Sequence, residues 1–182
     1  MGIVRDLARP VVRAAGLHDQ AARYARWESR SSIRLVNFLF QRLLGLNRDC
    51  PFPVNFTSRV NVPRGLDVHP SVRSYFATSG GCYFQAVNGI SLGEGTIFAP
   101  GVKMISADHD TSDLAAHVPG APIAIGRRCW IGANAVVLPG TRLGDDVVVG
   151  AGAVVKGEFP PRCVIAGVPA RIIRQDGVRT AT

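Results

Sequence analysis

A six-residue period running from Ile125 to Pro160 limits what this 182-residue chain can fold into more than any other feature. In sixes it reads Ile-Gly-Arg-Arg-Cys-Trp, Ile-Gly-Ala-Asn-Ala-Val, Val-Leu-Pro-Gly-Thr-Arg, Leu-Gly-Asp-Asp-Val-Val, Val-Gly-Ala-Gly-Ala-Val, Val-Lys-Gly-Glu-Phe-Pro. The first place is always aliphatic: Ile125, Ile131, Val137, Leu143, Val149, Val155. Gly126, Gly132, Gly144 and Gly150 fill the second place, and the fifth is small or β-branched except at Phe159. A Gly- and Val-rich stretch imitates a repeat for a hexad or two, but not for six in fixed register. Each hexad reads as one short strand and a turn of a parallel β-helix, three hexads to a coil. The aliphatic first residue points inward and stacks on its counterpart one coil away. Gly and Asn are expected at the corners, where they accept positive φ cheaply.

The same texture begins near Val60–Val72, is ragged through Gly80-Gly81, and becomes regular at Leu92 for one coil ending at His109. The period then fails. Residues 110–124 are polar, with Pro119-Gly120 and Pro122, and are expected to form a loop extruded from the coil. Such loops are a usual seat of function. The β-helix is thus expected over 60–164 and a C-terminal tail over 165–182. Residues 1–49 have helical texture and hold nine Arg against four acids. Leu35, Val36, Leu39, Phe40, Leu43 and Leu44 form one stripe, expected to pack as a cap on the β-helix or a neighbouring subunit. The sharper alternative is a helix on a membrane surface with its arginines facing anionic lipid. Cys50-Pro-Phe-Pro53 opens an extended linker over 50–59, because each Pro pushes its predecessor out of the helical region.

A formal net charge of +8 favours anionic partners such as a phosphate-bearing co-substrate or acidic lipid. No helix-turn-helix or aromatic-interleaved basic motif points to nucleic acid. Cys50, Cys82, Cys129 and Cys163 form no C-x-x-C pair, which suits free thiols in the cytoplasm better than a disulfide framework or a zinc site. Arginines interrupt any N-terminal apolar core of a signal peptide, and no run reaches the roughly 18 apolar residues of a spanning helix. The expected location is cytoplasmic, with peripheral membrane association through 1–49 as an option.

Over roughly Cys82–Arg174 the chain resembles the hexapeptide-repeat acyltransferases. The resemblance rests on the hexads, on Trp130-Ile-Gly-Ala133, on Gly150-Ala-Gly-Ala-Val-Val-Lys156, and on Gly167-Val-Pro-Ala-Arg-Ile-Ile-Arg174. The run Ile105-Ser-Ala-Asp-His-Asp110 looks close to O-acetyltransferases of galactosides and surface polysaccharides. The resemblance implies a mainly β fold, a left-handed β-helix with an N-terminal helical segment. It also implies direct acetyl transfer from acetyl-coenzyme A to a hydroxyl of a sugar or a lipid-linked saccharide, without a metal, in a homotrimer with sites between subunits. His109, at the start of the loop, is the implied general base, a task suited to a group titrating near neutrality. Gln85 and Asn88, about one coil earlier, are the candidate amides at the acceptor or the developing oxyanion. Asp108 and Asp110 are further acceptor candidates. Asp108, Asp110 and Glu94 are the carboxylates that can orient the base. Trp130, Ala133, Ala151, Val155, Lys156, Arg171 and Arg174 fall on the coenzyme A-lining segments. Asp110 stands where the galactoside enzyme has Pro, and Val155 where the family commonly has Thr.

His18, His69 and His117 are the other possible bases. The γ-type carbonic anhydrases share the fold but bind zinc through three His, two of them five residues apart. His109 and His117 are eight apart. N-acyl transfer to an amino sugar or amino acid, and a non-catalytic scaffold, are the remaining alternatives.

Overall fold

Strands only two or three residues long carry most of the repeat, because each hexad has room for one inward pair of side chains before the chain must turn. A computed structural model describes residues 32–175. The chain divides between Leu35 and Val36 into two units, and the second holds the β-helix. His18, most of the basic segment 1–49 and the tail beyond Gln175 lie outside the described residues.

Three faces stack the strands, parallel throughout except for the last strand of the third. The first holds β1 (Arg59–Asn61), β3 (Tyr83–Gln85), β6 (Lys103–Ile105), β9 (Val136–Val137) and β12 (Val154–Val155). The second holds β2 (Leu66–Val68), β4 (Ile90–Leu92), β7 (Ile123–Ile125), β10 (Arg142–Leu143) and β13 (Glu158–Phe159). The third holds β5 (Ile97–Phe98), β8 (Trp130–Ile131), β11 (Val148–Val149), β14 (Cys163–Gly167) and β15 (Ala170–Gln175). A short helix, Arg73–Thr78, takes the third side of the first coil. In the regular coil strand partners are 18 positions apart, as in Ala124–Arg142, Trp130–Val148 and Val136–Val154. Met104 instead lies against Val137, 33 positions on, so that coil carries fifteen extra residues. The excursion spans 106–122. Ile123 and Ala124, expected in the loop, are already strand residues, and Ile123 is fully buried.

First and fifth hexad places both face inward. Ile131, Val137, Val149 and Val155, like Cys129, Ala135, Val147 and Ala153, are all buried. Each buried Val or Ile side chain stabilises the stack by roughly 1.5–3 kcal/mol. Thr141 fills a fifth place by donating its hydroxyl to the Leu138 and Val155 carbonyls. Phe76 of the short helix closes one end of the core against Phe52, Phe84 and Phe98, with ring centroids 4.5–5.0 Å away.

The second-place glycines have a different reason from the one expected. Positive φ falls further along the turns, at Arg128, Asn134, Asp146 and Gly152. At Gly132 a Cβ would sit 2.7 Å from the Ala151 nitrogen and the Val149 oxygen. The next coil's backbone passes where a side chain would begin, so glycine is required by close approach.

Both ends of the sequence reading need correction. Cys50, Phe52 and Val54 are buried, so the extended stretch 50–54 packs one side into the core rather than serving as a free spacer. Extended backbone sends alternate side chains the same way, and these three share one face. At the other end, Ile165 is buried in β14, and β15 folds back antiparallel along β14. The described part of the tail, to Gln175, is therefore the second arm of a hairpin along the edge of the third face, a common remedy for an exposed ladder. The apolar stripe is inverted as well. Asn37 and Gln41 are the buried residues of segment Val36–Leu44, whereas Leu39, Leu43 and Leu44 are exposed.

Candidate active site

The excursion leaves from the corner between the first and second faces, and its neck is a short antiparallel pairing. His109 and His117 form a β-bridge. On either side of it the Val118 N–H donates to the Asp108 carbonyl and the Asp110 N–H to the Ala116 carbonyl. The two imidazole rings lie 4.4 Å apart, centroid to centroid, inclined by 34°. His109 is exposed and His117 half-buried.

Asn88 pins both stems of this neck. Its Nδ2 donates to the Ser106 carbonyl and to the Val118 carbonyl, each at 3.0 Å, while its backbone N–H donates to the Ser106 hydroxyl. Asn88 thus works on the loop's own backbone. Ser106 is the partner that sequence reasoning missed, and its place at the end of a strand gave little signal. Gln85 lies beside it, buried, its Oε1 accepting the Ala107 N–H at 3.0 Å. Among the described residues no fully buried side-chain nitrogen or oxygen lacks a partner.

The three carboxylates separate clearly. Asp110 accepts from the Ser112 hydroxyl at 2.6 Å and from the Ser112 N–H at 2.8 Å. Those bonds hold its carboxyl below the ordinary range and commit it to the loop turn. Asp108 is exposed next to His109. Glu94 sits at the corner between the second and third faces, where its carbonyl accepts from Arg128, and so it does not share the corner of His109. His69 caps the turn after β2 through Ser71, also away from the loop. Among the described residues no group of three or more His, Cys, Asp or Glu is placed to hold a metal ion.

The remaining candidates spread over the third face and its junction with the first. Trp130 points outward, 53% exposed. Its column continues through Ile97 on one side and Val148, Val164 and Arg174 on the other. From Trp130 to Arg174 is three strand steps, about 14 Å at ~4.8 Å each. The 18-residue spacing from Trp130 to Val148 was the sequence signal for this column. Ala133 and Ala151 stack at the corner leading to the first face, where the Gly152 N–H donates to the Ala133 carbonyl. Arg171 is exposed on the hairpin. Lys156 is exposed too, but it lies on the corner of the loop, two coils along. Val155 leaves the set: its side chain is fully buried in the stack and its carbonyl is taken by Leu138 and Thr141. Thr at that hexad position would face the core in the same way.

Within one chain, then, His109, Gln85, Asn88 and Lys156 occupy one edge of the first face. Ala133, Ala151 and the Trp130–Arg174 column flank the other.

Residues 122–156 match the family model described as the hexapeptide repeat of succinyl-transferase. A protein of Escherichia coli (strain K12), provisionally named as a lipopolysaccharide biosynthesis O-acetyl transferase, is 36% identical over 107 residues, 51% of this chain and 54% of that protein. The galactoside O-acetyltransferase of the same organism is 36% identical over 89 residues, 47% of this chain and 44% of its own length. The chain spans about half the length of these curated relatives. Among solved structures, a maltose O-acetyltransferase from Clostridium difficile 630 superposes with a TM-score of 0.56 at 30% identity, over 65% of this chain and 63% of that one. The fold it shares is the left-handed parallel β-helix.

Proposed function

We propose that the chain is a hexapeptide-repeat acyltransferase, like the proteins it matches, and that it is a coenzyme A-dependent O-acetyltransferase. It moves an acetyl group from acetyl-coenzyme A to a hydroxyl of a sugar or surface-polysaccharide precursor. The observation that carries this reading is the presentation of His109, an exposed imidazole on a loop neck pinned by Asn88, with Gln85 bonded to the Ala107 N–H at its root.

A neutral ring nitrogen of His109 accepts the proton of the acceptor hydroxyl as its oxygen attacks the thioester carbonyl. The carbon–sulfur bond then breaks, and the proton passes from His109 to the departing sulfur. The Gln85 amide, at the root of the loop, is the proposed donor to the acceptor or to the oxygen that gains charge, an interaction worth several kcal/mol when preorganised. Asp108, exposed beside the base, suits acceptor hydroxyls. Transfer is direct. All four cysteines are buried, and burial pushes their thiols up, so none is a ready nucleophile.

The third face fits the donor. Trp130 and its apolar column offer a surface for the pantetheine arm and the adenine ring. The small Ala133 and Ala151 let the arm approach the backbone, and Arg171 and Arg174 suit the phosphates by charge and donor geometry. Base and donor surface flank opposite edges of one face, and the reaction needs them together. A symmetric ring of copies meets that need when the loop edge of one protomer meets the donor edge of the next, and the proposed assembly is a homotrimer.

An acceptor screen with acetyl-coenzyme A, read by thiol release, tests the reading. Release driven by saccharides bearing free hydroxyls, and lost in His109→Ala, is the expected result. Release driven only by amines would move the assignment to N-acyl transfer. Calorimetry showing no coenzyme A binding would leave a scaffold.

A further inference from the structure

We propose that the segment Val36–Leu44 is a docking face for an anionic lipid surface. The proposal is independent of the catalytic reading. It starts from the segment's inverted polarity. Asn37 and Gln41, four positions apart and both buried, turn amides toward the protein. Asn37 accepts from the Phe56 N–H and donates to the Ala77 carbonyl. Gln41 accepts from the Val54 N–H and donates toward the carbonyls of Asn47, Cys50 and Phe52. These bonds satisfy a backbone stretch that has no strand partner, and they fix which side of the segment faces in.

The other side is apolar and open. Phe38 is 57% exposed, Leu39 39%, Leu43 66% and Leu44 67%. A π-helical turn, Leu39–Leu43, closed by the Leu44 N–H on the Leu39 carbonyl, inserts an extra residue and brings Leu43 and Leu44 round to that side. Exposed Arg42 and Arg48 border the patch, and Asp49 is the one acid in 36–49. Large apolar side chains beside arginines, on a segment lying along the surface, match the interface of an anionic bilayer. There the apolar groups enter the acyl boundary and each cation gains from the headgroups. No helix among the described residues is long and apolar enough to cross a membrane.

Charge decides between occupants. Pairing this face with its copy sets Arg42 and Arg48 against their equivalents. Covering it with residues 1–31 brings up six further Arg against three acids, the same sign again. Phosphate-bearing headgroups complement it.

The full chain should co-sediment with vesicles of phosphatidylcholine and phosphatidylglycerol, and not with phosphatidylcholine alone. Leu43→Asp with Leu44→Asp should weaken that binding more than about tenfold, and Arg42→Gln about fivefold. Solution mass and coenzyme A turnover measured without vesicles should not change. Wild-type protein that stays in the supernatant with anionic vesicles overturns the proposal. So does a Leu43/Leu44 variant that binds them as wild type does, because the patch is then covered or idle. A fall in solution mass with vesicle binding intact would make the face a self-interface, and the proposal would fail.

Discussion

His109 and His117 lie across the neck of the extruded loop with ring centroids 4.4 Å apart, each ring resting on the other. The backbone bridge between the same residues and the Asn88 clamp below it leave the pair little freedom. A base must meet its proton within hydrogen-bond reach, so the neck is a positioning device as much as a loop.

Removing the base should stop turnover without unfolding the chain. His109 is exposed and outside the aliphatic stack, so His109→Ala should keep its melting temperature and its coenzyme A affinity. Its kcat should fall about 10²–10⁴-fold, the usual share of a general base. His109→Asn should do no better, because an amide accepts no proton near neutrality. Near wild-type turnover in His109→Ala would exclude the mechanism.

His117 is a positioning residue in this scheme, and ring shape is what counts. Losing the stacked partner in His117→Ala should cost about 2–10-fold in kcat, the equivalent of an aromatic contact. His117→Phe keeps a ring and should recover most of that loss. Failure of Phe to rescue would mean that His117 acts through its own nitrogens.

The donor face gives a prediction of a different kind. Arg174 stands at the far end of the Trp130 column, three strands from the indole. Contact with the phosphates is the same in ground and transition states. Arg174→Ala should therefore raise the acetyl-coenzyme A KM with kcat little changed. A KM equal to wild type would place the phosphates elsewhere, with Arg171 or with Lys156 on the other edge.

The β-helix was legible because its sequence signal and its physical cause have the same period: places one and five face in, every six residues, and are buried from Cys129 to Val155. The loop was legible as a break in that period. What escaped obeyed other rules. The stripe from Leu35 to Leu44 reads as a buried face by polarity, yet the unpaired backbone at 50–54 needed the amides of Gln41 more than the core needed its leucines. Asn37 and Gln41, four apart, were the overlooked signal. Val155 was assigned by position in a motif, while its hexad place already pointed it inward. Asn88 was read as a candidate amide at the acceptor or the oxyanion, and its Nδ2 is bonded to both stems of the loop.

Close packing of coils predicts an asymmetry between glycines. Gly152→Ala adds a Cβ with nothing within 4 Å, at φ +69°, and should cost about 1 kcal/mol for the left-handed backbone. Gly132→Ala has no such φ, but its Cβ would press on backbone atoms of the next coil at 2.7 Å. It should be the worse of the two, by about 1–3 kcal/mol in denaturant unfolding, as overpacking usually is. Equal destabilisation would mean that the coils yield more easily than their stacked ladders suggest.

Gln41 provides the test of the inverted segment. It is buried, and its one amide serves the Val54 N–H and the carbonyls of Asn47, Cys50 and Phe52. By polarity alone, Gln41→Leu would count as an improvement, an apolar side chain in a buried place. The hydrogen bonds argue the reverse. Leucine satisfies none of those backbone groups, and each buried one left without a partner costs about 1–3 kcal/mol. The variant should lose several kcal/mol in all, less whatever water or backbone relaxation recovers, and its melting temperature should fall well below wild type. Gln41→Glu retains the acceptor for Val54 N–H but turns a carboxylate toward three carbonyls, so it should be no better. A Gln41→Leu protein as stable as wild type would mean that the 50–54 stretch does not depend on this amide, and the fixed outward set of Phe38, Leu39, Leu43 and Leu44 would lose its cause.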